Sequence, residues 1–268
     1  MKETEHLKII PGSCAAESRE QVLQTAYEIL ERNLRDMRAS LWKPRTKPGF
    51  EGVGEKGIPW LVEVAQMGIA PGTEVLLPSH AEKVMNAMET IRGSKRLFLW
   101  IGSRNQNHMI QQEIGSVAGG ADWVTLGVKN QPWSDEDHWK GIIDHVLQGG
   151  AREDRLILIH RGFAPAANGL RNPADFPMAM RIKESMGNRI PMLVDPSHIG
   201  GSAENAEMIA KESMSFRNEN GNKFDGLMIE VHPDPERAIT DAKQQLTWRR
   251  FDLLMERLNI NRNYALVS

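Results

Sequence analysis

Eight short apolar runs alternate with segments of helical period, and no other feature of the chain limits its fold as tightly. The runs are LKII (7–10), MRASLW (37–42), TEVLL (73–77), RLFLWI (96–101), DWVTLGV (122–128), RLILI (155–159), IPMLV (190–194) and FDGLMIEV (224–231). Between them lie segments such as SREQVLQTAYEILERN (18–33), HAEKVMNAMETIRG (80–93), SDEDHWKGIIDHVLQG (134–149) and SAENAEMIAKESM (202–214), with apolar residues at helical spacing. Several open on Ser and some close near Gly, as helix ends prefer. The runs are nearly continuous in apolar character, which suits parallel strands buried on both faces. Eight βα units in about 250 residues predict an α/β fold of the TIM (β/α)8 class. The expectation is one barrel domain over 1–268, with 258–268 as a C-terminal tail or linker. An open doubly wound sheet is the alternative, but no Gly-x-Gly-x-x-Gly follows the first run.

Composition excludes several classes. The net charge is −2, so nothing global points to nucleic acid, and the seven tryptophans are scattered instead of forming a stacking platform. No run reaches the ~18 apolar residues of a membrane helix, and MKETEHLKII has no apolar signal core. A single cysteine, Cys14, rules out an internal disulfide. The expectation is a cytoplasmic protein without nucleic-acid or membrane partners.

In a barrel, chemistry gathers where the strands end. The residues at or just past the runs are Cys14, Lys43 and Arg45, Ser79 and His80, Arg104, Lys129, Arg161, His198 and Glu230. The stretch SLWKPRTKPGFEGVG (40–54) adds Lys47 to Lys43 and Arg45 within a segment too rich in Pro and Gly for a helix. Positive charge in an otherwise slightly acidic chain is thereby concentrated at the barrel mouth. Arg offers a planar fork for phosphate or carboxylate, and Lys a point charge. Arg38, Lys43, Arg104, Lys129 and Arg161 together exceed what one phosphate needs, so the expected ligands carry two phosphates, or a phosphate and a carboxylate. Thr46 adds a hydroxyl donor. Cys14, His198 and Glu230, with Asp241 as a fourth, form a mixed-softness candidate set for a divalent metal.

Plainer roles stand beside these. Cys14 suits a small buried apolar position, and Glu230 suits pairing with a barrel arginine. Thr240 or Asp241 suits an N-cap of the last helix. His160, in LIHRG, suits either the site or packing; His80 and His232 are weaker candidates. Met85, Met88, Met178 and Met180 read as helix core.

Four motifs, KPRT (43–46), IGSRN (101–105), VDPSHIGG (194–201) and IEVHPDPERAITDAKQ (229–244), carry a family resemblance over about residues 8 to 250. The chain resembles 3-deoxy-D-arabino-heptulosonate 7-phosphate (DAHP) synthases of the type I beta subgroup, which share a barrel with 3-deoxy-manno-octulosonate 8-phosphate (KDO8P) synthases. The resemblance implies a transferase that condenses phosphoenolpyruvate with erythrose 4-phosphate, the first step of the shikimate pathway toward the aromatic amino acids. It implies that Cys14, His198, Glu230 and Asp241 hold a divalent ion (Mn, Co, Fe or Zn). It also implies that Lys43, Arg104, Lys129 and Arg161 bind phosphoenolpyruvate, with Arg38 nearby, and that Arg45 and Thr46 hold the sugar phosphate. Cys14, His198, Lys43 and Lys129 are then the expected catalytic residues, with Lys43 or Lys129 relaying protons.

KPRT favours the four-carbon aldehyde, because the octulosonate relatives typically carry a Lys-Ala-Asn-Arg-Ser type stretch and use arabinose 5-phosphate. His160 departs from the pattern, since many members have Glu there. The resemblance further implies a homodimer or homotetramer, and a chorismate mutase domain or partner that some relatives append. The chain starts almost directly at the first run, without the ferredoxin-like domain of other relatives. A Schiff-base aldolase using Lys129 and a non-catalytic barrel that binds phosphorylated metabolites are the competing readings.

Overall fold

Seven of the apolar runs become parallel strands in this computed structural model, which describes residues 7–44, 49–93 and 95–260. They are β1 (Lys8–Gly12), β2 (Gly72–Val75), β3 (Leu97–Ile101), β4 (Val124–Lys129), β5 (Leu156–His160), β6 (Met192–Val194) and β7 (Gly226–Glu230). Their ladder order is β1-β7-β6-β5-β4-β3-β2, with every pair parallel. An open sheet of that order would leave β1 and β2 as free edges, at odds with a closed barrel.

The 37–42 run closes the gap, though not as the regular strand its sequence predicts. Met37 and Ala39 donate to Ala70 and Gly72 carbonyls on the β2 side, at 3.0 and 2.8 Å. Arg38 donates to Pro11 at 2.9 Å on the β1 side, and Ala16 donates back to Ser40 at 2.9 Å. Two features keep these bonds from becoming ladders. Pro11 has no N–H to donate to the Asp36 carbonyl, and Leu41 N–H bonds the Thr73 hydroxyl at 2.9 Å. Gly12 permits the close approach, because a Cβ there would lie 2.2 Å from the Arg38 carbonyl oxygen. The fold is thus a single TIM barrel, with an extended segment in the eighth staves' place.

Helices cover the outside: α1 (Arg19–Glu31), α2 (Ile58–Gln66), α3 (Pro78–Met88), α4 (His108–Gly119), α5 (Glu136–Gln148), α6 (Phe176–Ser185), α7 (Pro196–Gly200), α8 (Ala203–Ser215) and α9 (Trp248–Arg257). Ser18, Asn107, Asp135, Asp175, Asp195, Ser202 and Thr247 accept backbone N–H bonds at the starts of α1, α4, α5, α6, α7, α8 and α9. The last helix is therefore capped by Thr247, and the capping role considered for Thr240 or Asp241 does not apply. Of the expected 258–268 tail, Ile260 is buried against the body with its N–H on Met255; residues 261–268 lie outside the described residues.

Two apolar layers result. Ile10, Phe98, Trp100, Ile157, Ile159, Leu193 and Met228 fill the barrel interior. The alternate strand positions join the helices in the larger outer core, where Met88, Met178 and Met180 are buried as expected. Among the described residues, no helix is long and apolar enough to cross a membrane.

Candidate active site at the barrel mouth

Strand side chains alternate faces, so the interior layer dictates what lies above it. Two residues past Ile10, Trp100, Ile159, Leu193 and Met228 come Gly12, Gly102, Arg161, Asp195 and Glu230. Glu74 and Lys129 take the same inward parity on β2 and β4. A cavity of about 360 Å³ opens over this layer. Five cations, Lys43, Arg104, Lys129, Arg161 and Arg171, face it against two carboxylates, Glu74 and Asp241.

The stretch that opens past residue 40 is tied at its base. Lys43 donates its N–H to Glu51 at 2.8 Å, and Gly54 donates to Leu41 at 2.9 Å. Gly52, at φ 96°, passes so close to Leu41 that no side chain fits. Trp42 stacks on His80 with centroids 4.0 Å apart, so His80 supports the loop from outside the cavity. Arg104 donates to the Pro44 carbonyl at 2.8 Å. These ties aim Lys43 inward. The other expected residues of this loop, Arg45 and Thr46, lie outside the described residues.

Lys43 Nζ meets Cys14 Sγ at 2.7 Å and Asp241 Oδ2 at 3.5 Å, while the thiol donates to Asp241 at 3.0 Å. Burial, then Glu230, push the Cys14 thiol up, against the pull of Lys43. Burial also disfavours the Lys43 ammonium, but Cys14, Glu230 and Asp241 more than reverse this and raise it. Asp241 sits in a left-handed conformation (φ 51°) that turns it toward the mouth. Its carboxylate is held low despite burial, chiefly by Lys43 and His198.

Deeper in, Arg38 is 1% exposed and donates to Glu230 Oε1 at 3.0 Å, the arginine pairing considered from sequence. It also lies 3.8 Å from Asp195 Oδ2 and over the Trp100 ring. Burial opposes ionisation of Glu230, yet His198 and Arg38 hold it below the usual carboxylate range. Asp195 is the carboxylate of VDPSHIGG. It accepts from Lys129 Nζ at 2.6 Å and caps His198 N–H at 3.1 Å. Despite burial, His198, Lys129 and Arg38 keep its carboxylate well below normal. Burial lowers His198, Lys129 and Arg161, the last to about 10 with Arg171 and Arg104 adding repulsion. Arg161 remains a cation at neutral pH.

The four expected metal ligands reach one mouth as two pairs. Cys14 touches Asp241, and His198 Nδ1 lies 3.7 Å from Glu230 Oε1. That nitrogen stands 2.9 Å from Asp195 Oδ2, but without the alignment of a hydrogen bond, and is buried with no aligned partner. Among the described residues no three His, Cys, Asp or Glu side chains close around one point. The donors nevertheless fit a divalent cation. A thiol and carboxylate already hold a positive group, Lys43 Nζ, between them, and the His198 Nδ1 lies between two further carboxylates, Asp195 and Glu230.

His160 is not in the cavity. Its parity sends it outward, where it is fully buried and stacks near Trp139 at 5.5 Å. His232 is buried beside Glu17, with Nε2 3.6 Å from its carboxylate, away from the cavity lining. Sequence reading missed Glu74, Asp195 and Arg171. Glu74 has a visible signal as the one charge in TEVLL, and strand parity selects Asp195. Arg171 lies in an irregular loop with no period to flag it.

A TIM barrel whose charged side chains gather at the C-terminal end of the sheet is, by that arrangement, an enzyme scaffold with its site at the mouth. The model of the DAHP synthetase I family matches residues 3–263. The chain belongs to that family of enzymes. A phospho-2-dehydro-3-deoxyheptonate aldolase of Thermotoga maritima is 29% identical over 261 residues, 94% of this chain and 69% of the relative. The crystal structure of DAHP synthase from Thermotoga maritima superposes with a TM-score of 0.80 at 28% identity, covering 96% of this chain and 69% of that one. A truncated form of that organism's synthase gives 0.76 at 25% identity, covering 96% and 86%. A 2-dehydro-3-deoxyphosphooctonate aldolase of Nitratidesulfovibrio vulgaris is more distant, at 22% identity over 94% of this chain and 90% of the relative.

Proposed function

We propose that the chain condenses phosphoenolpyruvate with erythrose 4-phosphate and water, giving 3-deoxy-D-arabino-heptulosonate 7-phosphate and phosphate. The observation that carries this reading is the cavity's surplus of five cations over two carboxylates. Two phosphates and a carboxylate entering together need such a surplus to offset their repulsion. Family membership and the names of the Thermotoga maritima relatives support the same reaction.

In this reading Lys43, Arg104, Lys129 and Arg161 hold phosphoenolpyruvate, and Arg45 and Thr46 hold the sugar phosphate beside it. Cys14, His198, Glu230 and Asp241 would hold a divalent ion (Mn, Co, Fe or Zn), which when bound polarises the aldehyde oxygen as a Lewis acid. The chain's own groups do the rest. C3 of phosphoenolpyruvate bonds to the aldehyde carbon, whose oxygen takes a proton. A water oxygen bonds to C2 and gives up one proton. The C2–O bond to phosphate then breaks with its electron pair leaving on phosphate, while the new C2 hydroxyl loses its proton and the C2=O ketone forms. Lys129, whose ammonium burial makes a better acid than a free lysine, is suited to donate near C2. Glu74, lining the cavity, is suited to accept the proton from water. Holding both substrates in reacting order supplies much of the acceleration.

The test follows loss of phosphoenolpyruvate ultraviolet absorbance in chelator-treated protein, with erythrose 4-phosphate or arabinose 5-phosphate, before and after Mn is restored. Mn-dependent consumption with erythrose 4-phosphate alone is expected. Consumption only with arabinose 5-phosphate would reassign the substrate to that of the octulosonate relatives. None with either would overturn the enzymatic reading.

A further inference from the structure

Two consecutive glutamines, Gln244 and Gln245, are each 2% exposed, and neither lines the cavity. Both follow Asp241, Gln244 as the last residue of the Ala242–Gln244 turn and Gln245 as its C-cap. Their side-chain amides point to different partners: three belong to segments bearing a candidate metal ligand, and the fourth, Arg171, itself holds Asp241.

Gln245 Oε1 accepts the Cys14 N–H at 2.9 Å, and its Nε2 donates to the Thr240 carbonyl at 2.8 Å. One amide thus bridges the Cys14 backbone and the residue before Asp241, segments 227 positions apart that meet at the thiol–carboxylate contact. Gln244 Nε2 donates to Glu230 Oε2 at 2.6 Å, and its Oε1 accepts from Arg171 Nη1 at 2.7 Å. The same Arg171 nitrogen donates to Asp241 Oδ1 at 3.0 Å. The partners fix both amide orientations: a backbone N–H and a guanidinium can only donate, a carbonyl and a carboxylate can only accept. Flipping either amide would set donor against donor and acceptor against acceptor.

We propose that Gln244 and Gln245 form a positioning brace that sets the relative placement of Cys14, Glu230 and Asp241 for a divalent cation. The proposal rests on reading those three as ligands. Neither glutamine touches the cavity, so each acts through the groups it holds. Such outer partners commonly matter to metal affinity by about 10–100-fold. Asn or Ser in either place is too short to span both partners, and an apolar residue in either place removes the partner of two polar groups.

The test uses the full chain, stripped of metal and titrated with Co²⁺, reading affinity and the thiolate-to-cobalt absorption band. Wild type should show the band. Gln245→Met and Gln244→Met should bind Co²⁺ about 10–100-fold more weakly, with the Gln245 variant's band shifted or weakened, while a cooperative melt remains. Gln245→Glu keeps the acceptor for Cys14 N–H but loses the amide donor to Thr240, and should fall between wild type and Gln245→Met. It also carries the test if the methionine variant does not fold. Variants that fold and bind within about twofold of wild type, with an unchanged band, would overturn the brace alone. A wild type lacking the band would overturn Cys14 as a ligand, and the brace with it.

Discussion

His160 offers a direct measure of how burial sets charge in this barrel. It ends β5 facing outward, fully buried among Trp139, Phe163 and Phe176. Its Nε2 accepts the Asp175 N–H at 3.1 Å, so the neutral ring carries its proton on Nδ1. Adding a second proton would oppose two donors and bury a cation beside Arg161. Burial, then Arg161, accordingly lower this ring from 6.5 to about 3. The unfolded chain takes up a proton below about pH 6.5 and the native ring does not, so unfolding is favoured as pH falls. Stability is whole above that point and drains between 6.5 and about 3. At about 1.4 kcal/mol per pH unit, the loss by pH 5 is about 2 kcal/mol, approaching ~4–5 kcal/mol at the lower limit. The assay is urea unfolding of wild type and His160→Phe between pH 7.5 and 5. The variant leaves the Asp175 N–H unpaired, a pH-independent cost of ~1–3 kcal/mol. All other titrating groups are shared, so the difference in slope isolates His160. Wild type should lose about 2 kcal/mol more than the variant over this range; parallel pH profiles would refute the reasoning.

Two further substitutions probe the mouth. Arg38→Met leaves Glu230 and Asp195 without their buried guanidinium and should cost about 3–5 kcal/mol in urea unfolding of metal-free protein; a loss under ~1 kcal/mol would show that the carboxylates find other partners. Gly102→Ala would place a Cβ 1.9 Å from Glu74 Oε1, forcing that flexible carboxylate aside. The turnover number should fall about 10–100-fold with the melting temperature within a few degrees, and unchanged turnover would remove Glu74 from the chemistry.

What the sequence discloses about this site follows from period-two strand geometry. The eight runs were legible because parallel strands buried on both faces must be apolar throughout. Their ends exposed Lys129, Arg161 and Glu230 without any structure. Carried one step further, the same alternation selects Glu74 and Asp195 and sends His160 outward, since Ile157 and Ile159 face in. The remainder depends on the path of the chain between strands. The 37–42 segment reads as a strand by composition, but Pro11 withholds the donor a ladder would need, a fact about the neighbouring segment. Arg171 and the two glutamines occupy irregular segments, so nothing periodic marks them. The contact of Cys14 with Asp241 joins opposite ends of the chain and exists only because β1 pairs with β7. That pairing brings Gly12 level with Glu230, and so carries the loop after β1 to the loop after β7. Chain closure itself therefore assembles the thiol, the carboxylates and the amides behind them, while the cations across the mouth come from β4 and from the loops after the 37–42 segment, β3 and β5. Lys129 and Arg161 need only strand ends, but the thiol-containing wall requires a closed barrel, so damage to the β1–β7 seam should reach Cys14 and Asp241 before it reaches Lys129 or Arg161.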